Sequence, residues 1–184
     1  GLIEDTMYVY IKENNHNPYV SLSATILEGY ILEGYISGFL PRQDYTVMDF
    51  LYVDQGEELI IEAGARLLFK GNYPFNIQGT LKAIGTHDDS IIFKNYDNHT
   101  NEKWHGINFW HNYQQPNQSV LEYIKVLDSD MEGIRLNYSN GIIFKHMSLI
   151  GNKFSGLHLR SADLDINNIE IINNGIGKSG LKGG

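Results

Sequence analysis

Arg135 and His158 are the two residues best suited to acid–base chemistry, because each stands at the same place in a glycine-led pattern. Gly133-Ile134-Arg135-Leu136 and Gly156-Leu157-His158-Leu159 both alternate apolar, polar, apolar. Gly106-Ile107-Asn108-Phe109 and the run Leu81-Lys82-Ala83 share that alternation, so Lys82, Asn108, Arg135 and His158 are expected to point outward from one wall as a row of donors. Such a row suits a polymeric sugar, acidic or neutral. A polysaccharide lyase needs a base beside a uronate carbon, a second donor, and commonly a calcium ion to neutralise the carboxylate. Arg135 with His158 could imitate the first two, and calcium is the one cofactor this chemistry would call for. The plain reading is that these are solvated outward positions of a strand, and no lyase signature surrounds them.

Glycoside hydrolysis needs two carboxylates about 5 to 10 Å apart across the substrate. Asp128, Asp130 and Glu132 alternate within one turn, with Asp163 and Asp165 a repeat later. The run from Asp128 to Gly133 also resembles an oxygen-rich calcium loop, without the full twelve-residue ligand pattern. A solvated turn is the simpler account of these acids. The seven histidines show neither the HExxH nor the H-x-H spacing of a zinc site. Trp104, Trp110 and Tyr113 lie in an aromatic-rich stretch that could stack on the apolar faces of sugar rings, or pack over an interruption in the fold. The segments from Tyr96 to Lys103 and from His111 to Ser119 are the longest insertions, and binding residues concentrate on such loops. Asn98, Asn117 and Asn137 each open an Asn-x-Ser/Thr triplet.

The elements that must position these residues are strands. From Tyr45 onward the chain is a succession of three- to five-residue β-rich runs divided by clusters such as Asp54-Gln55-Gly56 and Lys70-Gly71-Asn72. No helix-length stretch has a 3.6-residue period. An antiparallel sandwich would look similar, but hairpins do not repeat as this chain does. Met147-Ser148-Leu149-Ile150-Gly151-Asn152 matches Ile169-Glu170-Ile171-Ile172-Asn173-Asn174, and the glycine-led patterns recur every 22 to 27 residues. That period, with several short strands per repeat, specifies a parallel β-helix whose coils stack one strand spacing apart. The expected interior ladders are Leu81, Ile107, Ile134 and Leu157 on one wall, and Ile124, Met147 and Ile169 on another. Asn152 and Asn174 should stack at a turn and share amide hydrogen bonds.

Residues 1–44 read differently. Tyr8 to Lys12 and Tyr19 to Ser23 suggest a hairpin, followed by the tandem Ile26-Leu27-Glu28-Gly29-Tyr30 and Ile31-Leu32-Glu33-Gly34-Tyr35. The expectation is an N-terminal β-rich cap over residues 1–44 and a β-helix over 45–184, with the last repeat unfinished near Ile176 and Leu181 and open to self-association.

The progression Leu59-Ile60-Ile61-Glu62-Ala63-Gly64, then Gly79-Thr80-Leu81-Lys82-Ala83-Ile84-Gly85-Thr86, then Ile91-Ile92-Phe93 and Trp104-His105-Gly106-Ile107 resembles the opening coils of bacterial secreted right-handed parallel β-helix repeat proteins. The resemblance covers about Tyr45 to Gly177, with Ala63 where the pattern usually has proline. It implies an all-β, right-handed solenoid and an extracellular or cell-surface setting. The family spans lyases, glycosidases, epimerases, adhesins and surface proteins of unassigned function, so it does not fix activity.

Composition bounds the rest. The chain has 184 residues, 42% of them hydrophobic, and can bury one sizeable core. A formal charge of −8 repels a phosphate backbone and argues against general nucleic-acid binding or adhesion to an anionic membrane. No apolar run is long enough to insert in a bilayer as a helix, and with no cysteine there are neither disulfides nor thiolates. Three functions remain open: a structural, adhesive or glycan-binding surface domain, a polysaccharide lyase or hydrolase, and a filament subunit.

Overall fold

A computed structural model describes residues 30–96, 103–110 and 117–175. Among these residues there are fourteen strands and no helix: β1 (Tyr30–Tyr35), β2 (Gly38–Leu40), β3 (Asp44–Val53), β4 (Glu58–Ile61), β5 (Arg66–Phe69), β6 (Phe75–Ile77), β7 (Thr80–Ile84), β8 (Ile91–Asn95), β9 (Ile107–Trp110), β10 (Val120–Leu127), β11 (Ile134–Asn137), β12 (Asn140–Ile150), β13 (Leu157–Arg160) and β14 (Asp163–Ile172). Every pairing is parallel and skips to the next coil, which makes the fold a β-solenoid of about five turns.

The chain runs through three faces per turn. The first stacks β2, β4, β7 and the opening halves of β10, β12 and β14. The second stacks the opening halves of β1 and β3, then β5, β8 and the closing halves of β10, β12 and β14. The third stacks the closing halves of β1 and β3, then β6, β9, β11 and β13. Strand alternation sends every second side chain inward, and the parallel register turns each inward position into a column. Ile61, Ala83, Leu121 and Phe144 form one such column, Tyr45, Leu67, Phe93, Val126 and Leu149 another, and Leu51, Phe75, Ile107 and Ile134 a third; all are buried. Each Val, Leu, Ile or Phe side chain so removed from water contributes about 1.5–3 kcal/mol.

The corners are built on left-handed backbone. Tyr123, His146 and Asn168 have φ of 51°, 50° and 56° and stack at the corner from first face to second. Asp128, Gly151 and Asn173 do the same from second to third, and Tyr138 and Ser161 from third to first. At the first of these corners a single left-handed residue turns the chain within an unbroken strand, whereas segments of six and two residues make the other two.

The predicted asparagine ladder forms. The Asn152 amide nitrogen donates to Asn174 Oδ1 at 2.8 Å and to the Val126 carbonyl at 3.4 Å, while Asn152 Oδ1 accepts from the Ser129 amide at 3.1 Å. Asn174 passes the pattern on by donating to the Leu149 carbonyl at 2.8 Å. Asn152 is fully buried, so these bonds satisfy groups that water cannot reach.

Two expectations on register need correction. Residues 30–40 were grouped with a cap, yet β1 pairs with β3 and β2 with β4, so the first described coil already begins at Tyr30. The hairpin expected before it lies outside the described residues. On the third face the residue beneath Ile107 is Phe75 rather than Leu81, because β7 belongs to the first face.

Candidate functional site

The outward positions of the third face carry a continuous polar and aromatic row: Tyr35, Tyr52, Asn76, Asn108, Arg135 and His158 occupy successive rungs in register. Five strand spacings make it about 24 Å long. Tyr35 and Tyr52 meet edge to face with centroids 5.2 Å apart, and Asn108 donates its amide to Asn76 Oδ1 at 3.2 Å. Burial, reinforced by the neighbouring Asp54 and Tyr35, holds the Tyr52 phenol above its ordinary pKa, so it stays a hydroxyl donor. Two residues further along each strand runs a second row of Trp110, Asn137 and Arg160. Trp110 is exposed, and the Arg160 guanidinium lies 5.5 Å from the centre of the Tyr138 ring.

Glu132 organises the cationic end of this platform. One carboxylate oxygen bonds Arg135 and the other lies 3.9 Å from His158 Nδ1, while the Glu132 side chain is itself largely buried. Arg135 and His158 are thus brought together as expected, with a shared carboxylate between them that spacing alone did not single out. The signal for it was local, since Glu132 precedes Arg135 by three residues across a glycine turn.

The other site expectations fare differently. Lys82 is not in this row: it projects from the first face and pairs with Glu58 at 2.6 Å. The 26-residue step from Lys82 to Asn108 imitates a coil, whereas the true partner of Asn108 is 32 residues back because an insertion lengthens that turn. Trp104 is fully buried, stacked on Phe69 at 4.4 Å and 18°, with its indole N–H donating to the Leu127 carbonyl at 2.9 Å. It is a core residue and no ligand can reach it. Tyr113, and most of both insertions, lie outside the described residues, as do Ile176 and Leu181.

The acidic turn disperses. Asp128 sits against Gly151, Asp130 pairs with Lys153 at 2.8 Å, and Glu132 turns to Arg135 and His158. Among the described residues no three acids or histidines converge as metal ligands. Asp163 and Asp165 lie on the first face and share no cleft with the turn. Asn117, which opens one of the Asn-x-Ser/Thr triplets, is buried with its amide donating to the Gly79 carbonyl at 3.2 Å, out of reach of modification in the folded chain.

A second feature was missed. At the corner between first and second faces the Tyr123 and His146 rings are stacked, 4.5 Å apart and 8° from parallel, and the Asn168 amide lies 2.9 Å from His146 Nδ1. They wall a groove of about 570 Å³ shared with His87, Ser90 and Lys125. The available signal was a stutter in alternation: inward Leu121 is followed by Ile124, three residues on rather than two, and Phe144 by Met147 likewise.

No protein-family model, curated protein or solved structure matches this chain.

Proposed function

We propose that this chain is an extracellular or cell-surface β-solenoid module that binds a glycan along its third face, without catalysis of its own. The observation that carries the reading is the in-register platform of Tyr35, Tyr52, Asn76, Asn108, Arg135 and His158, flanked by Trp110, Asn137 and Arg160. A sugar ring and a coil rise are of similar size, so a polymer laid along the axis meets a hydrogen-bonding group at each unit. Exposed Trp110 supplies a stacking surface and Arg160 a charge for an acidic substituent.

Glu132 is the one carboxylate this arrangement uses, and its two oxygens face Arg135 and His158. Hydrolysis would ask for a second carboxylate across the substrate from Glu132, and among the described residues none is paired with it. The extracellular setting rests on the resemblance to secreted β-helix proteins.

Glycan-array binding followed by calorimetry tests the reading. The expected result is binding to at least one extended polysaccharide, weakened about tenfold or more when Trp110→Ala and Arg160→Gln are combined. Absence of binding across acidic and neutral polymers, or release of unsaturated or reducing-end products from a bound polymer, sinks it.

A further inference from the structure

We infer that the corner groove beneath Tyr123 is a second saccharide site, built for a single neutral pyranose ring in a short oligosaccharide. The inference begins with a ladder that stops one rung early. Ile84 pairs with Glu122, so the residue beneath Tyr123 in the corner column is Gly85, whose amide donates to the Glu122 carbonyl at 2.8 Å. Going upward, the column continues as His146 and Asn168. Tyr123 and His146 stack on one another at the spacing of the coils, and below Tyr123 there is no side chain to stack. Gly85 cannot supply one: a Cβ there would meet the Tyr123 carbonyl at 2.8 Å and the Asp89 carbonyl at 3.0 Å.

The lower coil also widens at this point. In the three upper coils the corner is a single left-handed residue, but between β7 and β8 it is the loop Thr86-His87-Asp88-Asp89-Ser90. That loop is held in shape. Thr86 N donates to the Asp89 carbonyl at 3.2 Å, Asp89 N donates to Thr86 Oγ1 at 3.0 Å, and the Asp89 carboxylate pairs with Arg42 from the coil below at 2.6 Å. It forms a ledge under the missing rung, and one groove runs from it up beside the ring stack, past Lys125 and Ser148 to Asn168 and Glu170.

The lining selects the ligand class. A ring face offers an apolar surface, while His87, Ser90, Lys125 and Ser148 offer donors and acceptors around it, and Glu170 accepts from Ser148 at 3.2 Å. A pyranose has that division, with an apolar face of C–H groups and a rim of hydroxyls. Lys125 and Glu170 in one groove leave it without a dominant sign, which favours a neutral sugar over an anion. This site is on a different corner from the platform and uses none of its residues, so the two inferences stand or fall separately.

The test is saturation-transfer NMR and calorimetry on the whole chain with three neutral hexasaccharides, a β-1,4-glucan, an α-1,4-glucan and a β-1,4-linked N-acetylglucosamine oligomer. N-acetyltryptophanamide serves as the aromatic competitor. Binding by at least one hexasaccharide is expected, with its C–H face protons saturated most strongly. Tyr123→Ala should weaken it about tenfold, Tyr123→Phe less than threefold, and Ser90→Trp, which fills the slot, should abolish it. All of these measurements are made in the Trp110→Ala, Arg160→Gln background, in which platform binding is weakened, so that the saccharide signal reports the corner groove. Binding that persists in Tyr123→Ala and Ser90→Trp, tighter binding of the tryptophan derivative than of every sugar, or no binding by any hexasaccharide overturns the inference. Thermal melts of Ser90→Trp and Tyr123→Phe, both surface changes, keep the outcome readable if Tyr123→Ala fails to fold.

Discussion

The upper coils, from Ser119 to Asn174, and the lower coils, from Tyr30 to Trp110, solve the same problem in different ways. In the upper coils the corner from first face to second is one left-handed residue, and equivalent positions recur at 22 or 23 residues. In the lower coils that same corner is a loop of three to six residues, and one step along the third face stretches to 32 residues. A one-residue corner keeps the ladders continuous. A loop at the same corner costs regularity but creates a ledge, and the groove under Tyr123 lies where the two designs meet.

The largest effects should ignore this difference. Phe144 in the upper half and Phe75 in the lower are both fully buried in interior columns. Truncating either to alanine removes transfer energy and leaves a cavity, so each should cost about 3–5 kcal/mol in denaturant melts. Equal costs with a single transition would show one cooperative core. If Phe75→Ala instead produced a second transition, the two halves would be separate folding units and the comparison would become one between domains.

Next in size is a contrast between asparagines that look alike in sequence. Asn152 is buried and ties three coils together, so Asn152→Ala should cost about 2–3 kcal/mol by leaving the Ser129 amide and the Asn174 carboxamide short of partners. Asn108 stands on the outer row with one bond to Asn76, and Asn108→Ala should cost less than about 0.5 kcal/mol. Comparable losses at both would mean that the platform is structural, and would weaken the case for a ligand there.

Those asparagines also mark what could be read from sequence. Asn152 and Asn174 were legible because the upper coils repeat with almost constant spacing, so Leu149 over Val126 and His158 over Arg135 followed by simple alignment. Below Ile107 the same procedure set Leu81 in the place of Phe75, since an insertion makes the wrong face fall at a coil-like distance. Trp104 was misread for a related reason: aromatic residues beside a loop look alike whether they cover the core or face solvent, and only the Leu127 carbonyl receiving its N–H decides. Tyr123 and His146 left a fainter trace, the three-residue step between inward side chains. Nothing in residue type announced a left-handed corner there, because glycine, the usual marker, is absent.

Corner chemistry gives the third prediction, about 1 kcal/mol in opposite directions. Ser161 turns an upper coil with φ of 49°, a conformation that costs a residue with a Cβ, so Ser161→Gly should raise stability by about 0.5–1 kcal/mol. Gly64 turns a lower coil with φ of 80°, and a Cβ there would come within 2.9 Å of Arg42 Nε. Gly64→Ala should therefore lower stability by about 1–2 kcal/mol, through backbone strain and a displaced Arg42. Urea melts of both variants measure the difference. A neutral Ser161→Gly would mean that the stacked corners relieve their own strain through neighbouring coils.

The smallest effect appears only in alkali and belongs to the lower coils. Tyr45 is buried and donates its hydroxyl to the Pro41 carbonyl at 2.8 Å, and burial, the leading cause, raises its phenol above the ordinary value of 10. The unfolded chain then releases this proton at lower pH than the folded one. The stability that the buried phenol contributes is complete below pH 10 and is lost as pH climbs toward the raised folded value. Tyr45→Phe keeps the ring packing, loses the bond to Pro41, and should be about 0.5–1 kcal/mol less stable at pH 7. Because phenylalanine has no proton to lose, the gap between variant and parent should narrow from pH 9 to 11. A gap that stays constant over that range would place the alkaline sensitivity elsewhere, with Tyr52 on the outer row the next phenol to replace.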